Sequence, residues 1–126
     1  MSQKIQKIIE NSVLKSKKQR KEFLLFGTIM IFIQDHLVSD LVDFDEVIAR
    51  IELLIPASLL HGIDIIYVGN FQDLIDRDLE AAYESGAIYI TNFLSNNIDY
   101  IENIVHEAAH ALEKNRGLMI YGDRKI

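Results

Sequence analysis

In the stretch IENIVHEAAHALEKNRG, residues 101–117, His106 is followed at once by Glu107 and four positions later by His110. Side chains four apart on a helix stand one turn apart on the same face, so both imidazoles can aim at one point. Two nitrogen ligands in an otherwise open site suit zinc, whose filled d shell imposes no geometry of its own. Glu107 is offset by about 100° around the helix, which keeps it off the metal but near a water held there. Zinc lowers the pKa of such a water to about 7. A neighbouring carboxylate can take that proton and later deliver it to a leaving amine. Ala108 and Ala109 leave room at the metal. The pattern therefore reads as a hydrolytic site with His106 and His110 as Zn2+ ligands and Glu107 as general base. The competing reading is two exposed histidines on a charged helix.

The elements around the pentad give it a scaffold. In SNNIDYIENIVHEAAHALEKNRG, Asn96 or Asn97 can cap a helix and Gly117 can end it. Ile98, Ile101, Val105, Ala108, Ala109 and Leu112 form its expected core face. Upstream, GIDIIYVGNF is a short β-branched run bounded by Gly62 and Gly69 and reads as a strand. QDLIDRDLEAAYESGAIYITN reads as a helical turn or loop and then a hairpin turning at Glu84-Ser85-Gly86, with residues 87–91 as its second arm. DFDEVIARIELLIP is an amphipathic helix capped by Asp43 or Asp45. It carries Val47, Ile48, Ile51, Leu54 and Ile55 on one side and stops at Pro56. KEFLLFGTIMIFIQDHL is ambiguous: its leucine-rich start can prolong a helix, whereas Gly27 and TIMIFI favour a buried strand for the second half. Residues 2–18 place Ile5, Ile8, Ile9 and Val13 at helical spacing. The expected class is α+β, a small sheet packed on the histidine-bearing helix, plus N-terminal helices.

The chain has 126 residues, one domain by length, with 49% hydrophobic and 25% charged residues, ordinary values for a globular protein. It has no cysteine, so His, Asp and Glu must supply any metal ligand. The longest apolar run, residues 23–33, is shorter than the roughly 20 residues a spanning helix needs. No apolar segment leading to a small-residue cleavage site follows the N-terminus, so a cytoplasmic protein without membrane contact is expected. Seven of the thirteen basic residues fall within the first 21 positions. They read as a solvated helix face or, through Lys15, Lys17, Lys18, Arg20 and Lys21, as an electrostatic contact. The acidic remainder argues against nucleic acid as a partner. No phosphate-binding glycine loop and no nucleophile-elbow serine motif is present.

IVHEAAHALE, preceded by GAIYITN, resembles the active-site helix of a zincin metallopeptidase following its edge strand. The resemblance is to small gluzincin-like metallopeptidases found among phage and prophage proteins. It runs over about residues 43–123, with the pentad as its specific part. It implies a single zincin-like domain over 1–126, with a basic N-terminal helix over about 1–22 and a metallopeptidase-like core over about 43–126. It also implies zinc ligation by His106 and His110, Glu107 as general base, and a peptide or protein substrate. That substrate would pair with Ala87, Ile88, Tyr89 and Ile90 as an edge strand. Gluzincins draw a third ligand, a glutamate, from a second helix twenty or more residues beyond the second histidine, further than Ile126. The substitutes within the chain are Asp123, brought back by a returning chain, and Glu113, which more naturally pairs with His110. Otherwise the core is truncated at its C-terminus, or belongs to an inactive relative that keeps the scaffold for binding or regulation.

Overall fold

The computed structural model describes residues 20–124, with side chains as far as Lys114. The architecture is α+β: a five-stranded mixed sheet in the order β1-β2-β3-β5-β4, with three helices and one 3-10 turn among the described residues. The strands are β1 (Glu22–Leu25), β2 (Ile29–Ile33), β3 (Ile65–Gly69), β4 (Ala81–Glu84) and β5 (Ala87–Thr91). The helices are α1 (Phe44–Leu54), α2 (Gln72–Asp76) and α3 (Asn97–Arg124), and the 3-10 turn is Ala57–Leu60. β2, β3 and β5 run parallel, and the edge strands β1 and β4 are antiparallel to their neighbours. Among the described residues no helix is long and apolar enough to cross a membrane. The basic helix expected over residues 1–22 falls mostly on residues outside the described part, and Glu22 already belongs to β1.

The ambiguous segment resolves as a hairpin, so its leucine-rich start is a strand and not the end of a helix. The cause is the turn, a three-residue loop between the paired Leu25 and Ile29. There Phe26 and Gly27 both take positive φ, 53° and 67°, and the Thr28 amide donates to Leu25 O at 3.2 Å, closing the chain back on itself. A bulky residue is strained there. The Phe26 amide is held at 2.7 Å by the Glu52 carboxylate. The second hairpin turns at Ser85 and Gly86, as the sequence suggests, again with positive φ at both residues. A Cβ on Gly86 would meet Asp64 Oδ2 at 2.6 Å, which the exposed Asp64 side chain can relieve by turning, so the positive φ is what calls for glycine.

Strand alternation sends Phe23, Leu25, Ile29, Ile31, Ile33, Ile66, Val68, Ile88 and Ile90 to one face, where they form the core with α1 and α3. Asp43 is the cap of α1, its carboxylate accepting the Asp45 amide at 3.0 Å. Phe44, Val47, Ile48 and Ile51 are buried. Leu54 was expected among them but is 66% exposed although it shares their side of the helix; it is the last helical residue, where the backbone leaves the helix at the extended Ile55.

On α3 the buried face is Tyr100, Ile101, Ile104, Glu107, Ala108 and Ala111. Ile98, at 54%, and Ala109 are exposed, contrary to expectation, and Val105 and Leu112 are half-buried. The helix is thus rotated by roughly 90° from the orientation that its aliphatic residues alone suggest. Tyr100 sets this rotation. Its ring packs edge-on against Phe44 with centroids 5.0 Å apart, and its hydroxyl donates to Thr91 O at 2.9 Å. Burial raises the pKa of that hydroxyl well above the usual tyrosine range.

A raised folded-state pKa stabilises the fold below the unfolded value, near 10, and that contribution is lost as pH rises above it. Between pH 9 and 11 the wild type should therefore lose more stability in chemical denaturation than Tyr100→Phe. Parallel losses would mean that Tyr100 ionises without unfolding.

Candidate metal centre

Helix α3 starts where Asn96 Oδ1 accepts the Asp99 amide at 2.9 Å, so Asn96 rather than Asn97 satisfies an orphan donor of the first turn. Asn97 ties the two long helices together: its Oδ1 accepts the Asp43 amide at 2.7 Å and its Nδ2 donates to Glu46 at 3.4 Å. With Tyr100 pinned to β5, the next three turns are fixed in rotation as well as position. They carry His106, Glu107 and His110.

The two imidazoles stand side by side on the exposed side of the helix, as the four-residue spacing requires. Their Nε2 atoms are 2.9 Å apart and their rings are perpendicular, with centroids at 4.4 Å. In this contact one Nε2 donates and the other accepts. Glu107 is on the other side of the pair, only 9% exposed, turned toward the sheet by the rotation that Tyr100 imposes. Among the described residues no hydrogen bond or ion pair occupies its carboxylate. One donor atom from each of His106, Glu107 and His110 lies within 4.8 Å of the others.

This donor set fits a zinc ion. Zn–N bonds of about 2.05 Å at a tetrahedral angle place the two nitrogens about 3.3 Å apart. The rings need open by only about 0.4 Å, which exposed side chains can do by small rotations. Glu113 reaches the other ring nitrogen, its Oε2 4.0 Å from His110 Nδ1. At that distance the two atoms make no hydrogen bond, though the carboxylate stands on the side from which it could orient a ligating histidine, the wrong side for ligating an ion held at Nε2.

Two expectations about the site need correction. Gly117 does not end the helix, which runs on to Arg124. Asp123 was to return to the metal on a chain folding back. A continuous helix instead carries its backbone about 20 Å along the axis beyond His110, and its side chain lies outside the described residues. The second correction concerns the edge strand. β5 is paired to β3 on one side and β4 on the other. Ala87, Ile88, Tyr89 and Ile90 therefore have no open backbone ladder for a substrate. Ile88 and Ile90 point into the core, and Tyr89 stacks on Tyr67 across the sheet from the helices, with centroids 5.3 Å apart.

The open edge is β4. Thr91 N–H donates to Glu80 O at 3.0 Å, which fixes the alternation of an antiparallel ladder. Ala81 and Tyr83 accordingly turn their N–H and C=O groups outward. The side of α3 that carries His110 meets this strand through one side-chain contact. Lys114, one turn beyond His110 and two beyond Glu107 on the same side, holds its Nζ 5.9 Å above the ring of Tyr83. The hairpin was legible in the sequence, but which of its arms is outermost depends on β3 pairing with β5, a contact between distant segments.

Other tyrosines and histidines, which could offer a hydroxyl to an oxyanion or a nitrogen to a metal, are placed elsewhere. The Tyr83 hydroxyl donates to Gly62 O at 3.4 Å. Tyr121 lies outside the residues whose side chains are described. His36 and His61 belong to no metal-binding group among the described residues. No family model, curated protein or solved structure matches this chain.

Proposed function

We propose that the chain is a zinc-dependent peptidase of the zincin type, hydrolysing peptide bonds with His106 and His110 as metal ligands and Glu107 as general base. The observation that carries this reading is the convergence of the two Nε2 atoms, 2.9 Å apart, beside Glu107, a largely buried residue whose carboxylate has no partner among the described residues. Zinc bound there would supply a Lewis acid for the scissile carbonyl and a water acidic enough to attack at neutral pH.

The chain's own residues do the rest. The imidazoles hold the ion on a rigid, capped helix. The Glu107 carboxylate takes the proton of the attacking water and gives it to the departing amine nitrogen. Ala81 and Tyr83 on β4 bind an extended substrate backbone by antiparallel pairing. That pairing presents the substrate along the edge that α3 meets at Lys114. An extended peptide is the substrate class that such an edge selects.

A second reading is a zincin scaffold used for binding or regulation without catalysis. It is supported by the ligand count: among the described residues only His106, Glu107 and His110 gather, whereas catalytic zinc usually has three protein ligands plus water.

Zinc titration of the chelator-treated chain, together with mass spectrometry of an unstructured peptide mixture, separates the two. The peptidase reading expects weak, reversible binding of one zinc per chain and cleavage products that vanish on adding a chelator. Zinc uptake without any cleavage would favour the scaffold, and no zinc uptake would remove both.

A further inference from the structure

The two edges of the sheet differ. On β1 the outward carbonyl of Glu22 is already taken, Arg20 Nε donating to it at 3.0 Å. On β4 no such bond closes the outward groups of Ala81 and Tyr83 among the described residues. A peptide strand added there forms its hydrogen-bonded pairs with Ala81 and Tyr83. The peptide residue between them falls opposite Ala82 in a non-hydrogen-bonded pair, where side chains come closest. By alternation it shares the face of Ala82, away from the helices.

On that face Ala82 is the register neighbour of Tyr89, and Tyr89 of Tyr67. The two rings are stacked, with centroids 5.3 Å and planes 22° apart, so the column of rings runs across the strands. Its next place toward the edge, about 4.8 Å further on, lies over Ala82, whose methyl group is too small to fill it. Tyr89 is half-buried, and Phe71 packs perpendicular to it with centroids at 5.4 Å. Glu84 lies two residues from Ala82 on the same face, and Glu80 two residues before it, with its carbonyl still in the ladder through Thr91 N–H. Both glutamates are exposed, and neither carboxylate has a partner among the described residues.

We propose that this place is a specificity subsite for a long cationic side chain, arginine above all, carried by an extended peptide at the residue opposite Ala82. The proposal rests on the edge pairing described above and names the peptides that it selects. A guanidinium is flat and positively charged, so it continues the column of rings as a cation–π partner of Tyr89. To reach that ring the side chain must lean about 5 Å across β4, and its methylene stem can lie along Ala82 as it does so. Glu80 and Glu84 flank the charged end, favouring a cation and rejecting an acidic residue. Short or neutral side chains meet none of these groups.

The probes are peptides of seven residues with blocked ends, identical except for a central arginine, citrulline or glutamate. Citrulline keeps the shape of arginine and removes its charge. Binding to the full chain is measured by fluorescence anisotropy with a chelator present, so that it needs neither zinc nor cleavage. The arginine peptide should bind about tenfold more tightly than the citrulline peptide, and the glutamate peptide most weakly. Glu80→Gln combined with Glu84→Gln, two exposed positions where the fold tolerates the change, should bring the arginine-to-citrulline ratio below about threefold. Ala82→Leu, which fills the place beside Tyr89, should lower it as well. Equal affinities, a ratio unmoved by both changes, or no binding of any peptide would overturn the subsite. Arginine-selective binding without cleavage in zinc would keep the subsite and remove the peptidase reading. Cleavage in zinc without arginine preference would do the reverse.

Discussion

Glu107→Gln should reduce peptide cleavage by roughly 10²- to 10⁴-fold, the usual worth of a general base, while leaving zinc affinity nearly intact. The amide keeps the shape and volume of the acid, so the buried position on α3 tolerates it. Glu107 is 9% exposed and faces the sheet side of the helix, whereas the histidines face outward. A residue so placed can reach a water at the metal without joining the two imidazoles as an equal ligand. The carboxylate's freedom from hydrogen bonds and ion pairs among the described residues leaves both of its oxygens available for that proton. Cleavage assays and zinc titration on the same preparation give the answer. Full activity in the glutamine variant, or a loss of zinc as large as that from His106→Ala, would show that Glu107 has been given the wrong role. The kcat and KM should separate as well: a lost proton shuttle lowers kcat and leaves KM nearly unchanged.

Much of this was legible in the sequence because local rules governed it. The i, i+4 spacing alone put both imidazoles on one side of a helix, and Ser85-Gly86 announced its hairpin through the positive φ that such a turn demands. The helix starts were narrowed by residue type to Asp43 or Asp45 and to Asn96 or Asn97, and the structure selects Asp43 and Asn96. What failed were features decided by distant segments. The rotation of α3 depends on Tyr100 bonding Thr91 O and packing on Phe44. No periodicity count could weigh that polar aromatic above Ile98. The same rotation turned Glu107 inward, which the sequence had no means to indicate. Whether β4 or β5 forms the edge depends on β3 pairing parallel to β5 across the α2 connection, a matter of topology and not of pattern. The leucine-rich residues 22–25 suited either a helix or a strand until the strained turn at Phe26, held by Glu52, decided between them.

The largest effect on metal binding should come from removing either imidazole. His106→Ala or His110→Ala leaves one nitrogen ligand on the exposed face, and no other His, Asp or Glu among the described residues is gathered there to replace it beyond Glu107. Loss of a partner that merely orients a ligand typically costs 10- to 100-fold in affinity, so loss of the ligand itself should cost more than about 100-fold. Glu113→Gln tests the orienting role directly. Its carboxylate is 4.0 Å from His110 Nδ1 and exposed, so the expected loss is at the bottom of that range, about tenfold or less. The wild-type affinity should itself be modest, since two histidines supply fewer protein ligands than a catalytic zinc usually has, and binding should weaken in acid because a protonated imidazole has no lone pair to give. Titration calorimetry on the wild type and the three variants checks the order. Tight one-to-one zinc binding that survives His110→Ala would place the metal elsewhere and remove the site on α3, because the 2.9 Å pair of nitrogens on which it rests would then have no part in holding the ion.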